Sequence, residues 1–394
     1  MEVNQQVSFD DTSVAFSAKS DKELKKMYWI FGAMNSNLLV NAGTFFIKTA
    51  LSLGLPVKGL IKSTLFQQFC GGESIWDCRE TSQALARFNV GIILDYSVEG
   101  GELEEGFDAT LQEILNTIEK ASIPPANPFC VFKMSGLASN DLLQRKQLGT
   151  PLSPDETGAW HRVKDRVDKI CKAGYQNDLR ILIDAEESWI QKPIDKIAYD
   201  MMAKYNKERA IIYNTYQMYC KDVFAQLKTA FHYAVANNYN MGVKLVRGAY
   251  LEQERERAEK MNYPDPTQPT KEATDKDFNL ALKFCIENKQ RIALCCGSHN
   301  EDSNHYLTIL MNKYGLKNDD PTVYFSQLYG MSDNISFNLA KAGYNVAKYL
   351  PYGPLKSVIP YLFRRAEENT SIAGQSSREF GLIKKELARR KALK

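Results

Sequence analysis

From residue 90 onward, short apolar runs alternate with longer charged stretches. The runs fall at 90–96, 129–134, 180–184, 210–214, 243–246, 292–296, 322–326 and 345–349. They are short and β-branched, which predicts strands of a parallel sheet buried on both faces. Between them, 107–120, 155–172 and 274–288 carry the mixed spacing of amphipathic helices. Pro154, after Ser153 and before Glu156, is a helix-start signature. Eight strands alternating with helices is the α/β pattern of a (β/α)₈ barrel. A doubly wound open sheet is the alternative that the pattern alone leaves standing.

The chain before residue 90 reads as helical. Ser20 and Glu23 form an S-x-x-E capping box. Gly54, Pro56 and Gly59 interrupt, and Gly71-Gly72 mark a turn before a helix at 75–88. The expected organisation is a helical arm at 1–88, a barrel at 89–375 and a basic helical tail at 376–394. The stretch 27–47 is uncharged and long enough to span a bilayer. Asn35, Ser36, Asn37, Asn41 and Thr44 make a spanning helix costly, so packed helices or a surface-associated arm are expected. The first twenty residues carry Glu2, Asp10 and Asp11 and no arginine, unlike a secretory signal or a basic transit peptide. With Met1 in place, no removed presequence is expected.

Composition changes this picture little. The chain is 44% hydrophobic and 25% charged, ordinary for a globular protein. The formal net charge of +3 gives no reason to expect a nucleic-acid partner. The eight cysteines form no C-x-x-C pair, and several sit in apolar runs, as Cys130 does. Buried thiols in a reduced, intracellular protein follow.

In a barrel, functional residues gather at the carboxyl ends of the strands. Lys133 follows the second run, Asp184 ends the third and Asn214 the fourth. Lys244 and Arg247 lie on the fifth, Ser298 and His299 follow the sixth, Leu328 the seventh and Tyr349 the eighth. The last barrel helix carries Arg364, Arg365 and Glu368. Any one such charge alone is more often a solvated loop residue. Together, Lys133, Lys244, Arg364 and Arg365 would place four cations over one barrel mouth, which Asp184 and Glu368 offset only in part. That predicts an anionic ligand, with paired arginines suited to a carboxylate or phosphate. His299 has no second ligand at metal-binding spacing, so no metal is expected. Gly71-Gly72 lacks a surrounding G-x-G-x-x-G, so no Rossmann-type dinucleotide loop is expected. Cys295-Cys296 read as core rather than nucleophile.

Several of these segments resemble one family. Lys244-Leu245-Val246-Arg247-Gly248-Ala249-Tyr250 is similar to the fifth-strand signature of proline dehydrogenases, and Arg364-Arg365-Ala366-Glu367-Glu368-Asn369 to their eighth-helix motif. Ile183-Asp184-Ala185-Glu186-Glu187, Ser298-His299-Asn300 and Leu328-Tyr329-Gly330-Met331 resemble the third-, sixth- and seventh-strand motifs. The resemblance implies a distorted (β/α)₈ barrel holding FAD and oxidising L-proline to 1-pyrroline-5-carboxylate. It implies that Arg364, Arg365 and Lys133 hold the carboxylate, and that Tyr250, Leu328, Tyr349 and Tyr361 wall the ring. Asp184 would order the site and Lys244 would lie near flavin N5. Ala185, Asn214, Arg247, Gly248, Ala249, Ser298, His299, Glu368 and Asn369 would contact FAD. Some members carry arginine where Lys244 stands.

The resemblance further implies electron transfer to a membrane quinone and peripheral contact with a membrane. The expected location is cytoplasmic, at the inner membrane, or mitochondrial if a presequence has been removed. An aldehyde dehydrogenase acting on the product is an expected partner. A sister branch acts on hydroxyproline and carries a small residue at the position of Tyr349. Two other readings stay open at this stage. Lys133, Lys244 or Lys348 could form a Schiff base in an aldolase-like barrel, and the barrel could be a non-enzymatic binder.

Overall fold

A computed structural model describes residues 7–53, 55–97, 103–121, 127–371 and 375–394, with side chains described at all of these except 37, 41, 48, 51, 52, 366–371, 375 and 376. Eight parallel strands close into a barrel in chain order. They are β1 Val90–Tyr96, β2 Phe129–Phe132, β3 Arg180–Ile183, β4 Ile212–Gln217, β5 Met241–Val246, β6 Ile292–Gly297, β7 Val323–Leu328 and β8 Val346–Tyr352. The α/β barrel expected from the alternation is the fold observed. An open sheet is excluded by closure.

Strand interiors match the apolar runs, and the ends differ. The fourth strand runs to Gln217 rather than 214, because Thr215, Tyr216 and Gln217 are polar yet ladder-bonded to Lys244, Leu245 and Val246. The eighth runs to Tyr352 rather than 349, through Pro351.

The helices follow local rules. Pro154–Gln176 starts with the Ser153 capping box and a proline in its first turn. Asp21–Met34 starts with the Ser20–Glu23 box. Pro193, the sixth residue of Ser188–Tyr205, has no N–H to donate, so the helix forgoes one backbone hydrogen bond there.

The chain divides into two compact units, residues 92–326 and residues 1–91 with 327–394. In the first, alternate residues of β2, β3, β4 and β7 stack inside the sheet: Phe129 meets Tyr213 and Tyr324 edge-on at 5.4 and 5.0 Å. The Arg180 guanidinium lies 5.2 Å above the Tyr324 ring. Gly242 belongs to this layer, since a Cβ there would sit 2.5 Å from the Tyr213 ring. The second unit has its own core. Leu24, Met27 and Phe31 of Asp21–Met34 pack with Phe69, Val358, Leu362, Leu382 and Ile383.

Candidate active site

Within the 92–326 unit, strand alternation decides which side chains face one another. Thr215 and Gln217 share one face of β4, and Asn214 and Tyr216 the other. Thr215 Oγ1 donates to Asp184 Oδ1 at 3.4 Å. Asn214 instead donates from Nδ2 to Asp195 at 2.8 Å, and Tyr216 meets Tyr199 at 3.3 Å, both on the helix Ser188–Tyr205. The structure therefore sets Asn214 against a helix, on the face of β4 away from Asp184. The residue at the true strand end, on the inner face, is Gln217.

The inner face carries a line of alternating charge. Lys244 Nζ lies 2.5 Å from Asp184 Oδ1. Lys133 Nζ is 3.8 Å from Asp184 Oδ2 and 3.8 Å from Asp95 Oδ2. Ser97 donates to Asp95. The four charged side chains are at most 11% exposed, so each partner matters. Two lysines against two aspartates leave no net charge. Of the four cations expected to be offset only in part by Asp184 and Glu368, Lys133 and Lys244 are therefore balanced, because Asp95, near the end of β1, adds a second carboxylate.

A second network joins the end of β4 to the loops that follow β2, β3 and β5. Ser135, after β2, donates from N to Glu186 Oε1 at 2.9 Å and from Oγ to Oε2. Glu186 lies two residues beyond Asp184, and its backbone carbonyl accepts from Gln217 Nε2 at 2.7 Å. Gln217 Oε1 accepts from Ala249 N at 3.2 Å, beyond β5. Burial pushes the Glu186 carboxyl up to about 7, against the pull of the Ser135 donors. Ser135 and Gln217 are not singled out by the sequence, and Glu186 enters there only as a letter of the third-strand motif, with no role. Their signal is weak, because a polar residue one or two positions past a strand looks like any loop residue.

The β5 signature is locally determined. Gly248 has φ +140°, and a Cβ there would fall 1.5 Å from the Tyr219 ring, so a side chain is excluded. Arg247 donates from Nε to Asp275 at 2.6 Å, from Nη1 to Ser298 Oγ at 2.7 Å and from Nη2 to Ser303 Oγ at 2.9 Å. Its guanidinium also covers Phe278 at 4.4 Å. Arg247 and Ser298 are thus brought together. Ala185 and Tyr250 are buried. His299 follows β6 and is partly exposed. Cys295 and Cys296 are fully buried, and burial pushes the Cys295 thiol up to about 12. Among the described residues, no three His, Cys, Asp or Glu side chains gather as a metal site.

The other unit holds the rest of the candidates. Tyr329 N donates to the Tyr349 carbonyl at 2.9 Å, fixing β8 beside the turn that follows Leu328. Tyr349 and Tyr361 are 6% and 5% exposed. Arg365 is buried with its guanidinium 5.0 Å from the centre of the Tyr361 ring, while Arg364 is partly exposed. The side chains of Glu368 and Asn369 lie outside the described residues. Lys348 is fully buried, 2.8 Å from Asp333 Oδ1 and 2.5 Å from the Met331 carbonyl. Those bonds make it a brace for the turn after β7, and they leave it poorly suited to the Schiff-base role.

Comparison with known proteins gives a consistent result. The family model described as proline dehydrogenase matches residues 78–378. A mitochondrial proline dehydrogenase 1 of Dictyostelium discoideum is 34% identical over 96% of this chain and 74% of its own length. The carbapenem biosynthesis protein CarD of Pectobacterium carotovorum is 32% identical over 97% of this chain and 98% of its own. The barrel resembles that of proline utilization A from Bdellovibrio bacteriovorus, with a TM-score of 0.71 at 20% identity over 91% of this chain and 38% of that longer one. The matched span includes every motif placed at a strand end above. The chain belongs to the proline dehydrogenase family.

Proposed function

We propose that this protein oxidises L-proline to 1-pyrroline-5-carboxylate, the first step of proline breakdown to glutamate, with FAD as hydride acceptor and a membrane quinone as the next acceptor. The observation that carries this reading is the alternating line Lys244, Asp184, Lys133 and Asp95. A zwitterionic amino acid suits paired charges of both signs better than a net cation would. Lys133, Arg364 and Arg365 hold the carboxylate, the two arginines by planar, charge-assisted contacts. Tyr250, Leu328, Tyr349 and Tyr361 wall the ring and exclude water.

The donor set of the 92–326 unit fits a flavin. An ammonium at Lys244, an amide at Gln217 and the hydroxyl of Ser298 beside Arg247 are suited to ring carbonyls, ring nitrogens and a diphosphate. We assign the cofactor contacts to Ala185, Gln217, Arg247, Gly248, Ala249, Ser298, His299, Glu368 and Asn369, with Gln217 replacing Asn214. Bound FAD supplies two-electron acceptance from a carbon–hydrogen bond. The protein's part is positioning: the cations fix the carboxylate, and the tyrosines set the face of the ring. Asp184 holds the Lys244 ammonium in place. Proline must release its ammonium proton, and nearby cations favour the neutral amine. The ring carbon beside nitrogen then loses a hydride, the amine loses its second proton, and a C=N bond forms. Hydrolysis of that imine gives an aldehyde, so an aldehyde-oxidising enzyme is the partner that consumes the product.

The arm supports contact with a membrane. No single described helix is long and apolar enough to cross a bilayer, and the pair Asp21–Met34 and Leu38–Ile47 is bent by 97°. Trp29, Leu38, Leu39, Phe45, Phe46 and Leu60 are more than half exposed. Residues 24–72 contain Lys25, Lys26, Lys48, Lys58 and Lys62 and no acidic residue. Exposed apolar side chains among lysines suit the surface of an anionic bilayer. The activity is tested by incubating FAD-loaded protein with L-proline, a quinone analogue and an ortho-amino aldehyde that traps cyclic imines. A coloured adduct that requires proline is expected, and its absence rules the reaction out.

A further inference from the structure

The turn after β7 is held from three sides. A Cβ at Gly330 (φ +79°) would lie 2.0 Å from the Gln68 carbonyl, and Gln68 Nε2 donates to the Gly330 carbonyl at 2.8 Å. Lys348 Nζ donates to the Met331 carbonyl at 2.5 Å. Ser332 takes a left-handed conformation at φ 51°, a strained choice for serine, and its N–H donates to Glu379 Oε1. Glu379 belongs to the carboxy-terminal helix Gln375–Ala392, outside the barrel, and is 3% exposed. That helix is itself anchored. Leu382 and Ile383 are buried in the core, and Arg390 donates to the carbonyls of Lys19 and Phe16 at 2.8 and 2.9 Å. A buried carboxylate is expensive in a helix that could dock through apolar residues alone, which points to a specific task.

The turn connects to two ring-walling residues. Leu328 immediately precedes it, and its carbonyl accepts from Met331 N at 3.3 Å. Tyr349 is tied to it by the bond from Tyr329 N. We propose that Glu379 is a positioning residue for substrate binding: from the carboxy-terminal helix it locks the turn 329–332, and through it sets Leu328 and Tyr349 against the ring of the substrate. This rests on the reading of Leu328 and Tyr349 as ring walls. It gives the carboxy-terminal helix a role in affinity as well as in packing.

The test compares Glu379→Ala, Glu379→Asp, Glu379→Gln and Leu328→Ala in the full-length, FAD-loaded protein. Steady-state kinetics with L-proline are measured beside calorimetric binding of tetrahydrofuran-2-carboxylate, which has no amine to oxidise. Glu379→Ala is expected to raise both KM and the inhibitor Kd about ten-fold, with kcat within about two-fold of the parent. Glu379→Asp, one methylene short of Ser332, gives a smaller rise in the same direction and carries the test if the alanine variant does not fold. Glu379→Gln keeps an oxygen that can accept from Ser332 and restores most of the affinity. A lowered melting temperature with unchanged inhibitor affinity in Glu379→Ala or Glu379→Asp, while Leu328→Ala weakens binding, overturns the positioning role and spares the ring-wall reading. Unchanged affinity in Leu328→Ala overturns both.

Discussion

Glu186 shows how one buried carboxyl ties chemistry to stability. It accepts two bonds from Ser135, and burial raises its carboxyl to about 7 from an ordinary value of 4.5. The folded state therefore binds this proton more tightly than the unfolded chain does. The stabilising contribution is fully present below pH 4.5 and is lost as pH rises through 7, on the order of 3 kcal/mol. Burial also raises Glu379 to about 7 and Asp195 to about 6, so three groups pull in the same direction. Urea unfolding of Glu186→Gln between pH 5 and 7.5 is expected to show a shallower decline in stability than the parent; an identical slope would mean that Glu186 ionises normally. Tyr349 makes a different kind of prediction. As the ring wall proposed above, its phenol would fill space that an extra ring hydroxyl needs, and overpacking costs about 1–3 kcal/mol. L-proline is expected to exceed trans-4-hydroxy-L-proline by about ten-fold or more in kcat/KM. Tyr349→Ser is expected to narrow that ratio, chiefly through lower activity on proline. Equal losses on both substrates would reduce Tyr349 to a brace for β8.

At the level of elements, the apolar runs were legible because both faces of a parallel strand are buried, so an interior strand has little room for polar residues. The ends were not, because there one face turns towards a site and becomes polar. Reading β4 as ending at 214 put Asn214 at the barrel mouth, where alternation places it against a helix and leaves Gln217 inside. Reading strand ends from the second run onward omitted Asp95 and so overstated the positive charge. The β5 signature was legible for a different reason: Gly248 is forced by the Tyr219 ring, and backbone constraints of that kind leave a fixed letter in the sequence. The amino-terminal helices give the element-scale prediction. Exposed Leu38, Leu39, Phe45 and Phe46 beside lysines should seat the protein on anionic vesicles without spanning them. Flotation with phosphatidylglycerol vesicles is expected, together with release by alkaline carbonate. Replacing Phe45 and Phe46 by serine should weaken vesicle affinity at least about five-fold, the effect of losing about 1 kcal/mol or more of buried apolar area. Resistance to carbonate would show a spanning segment instead.

At the scale of the whole molecule, the 92–326 unit carries the charge-balanced line of lysines and aspartates, and residues 1–91 with 327–394 carry Arg364, Arg365, Tyr349 and Tyr361. The chain spans 38% of the longer proline utilization A structure it resembles, and its role as a free-standing enzyme is part of the proposal. The most direct measurement is the visible spectrum of the protein reconstituted with FAD, recorded without oxygen before and after millimolar L-proline. The account predicts that FAD stays bound through gel filtration and that its oxidised absorbance bleaches on adding L-proline and not D-proline. Flavin that stays oxidised in the presence of L-proline would contradict it.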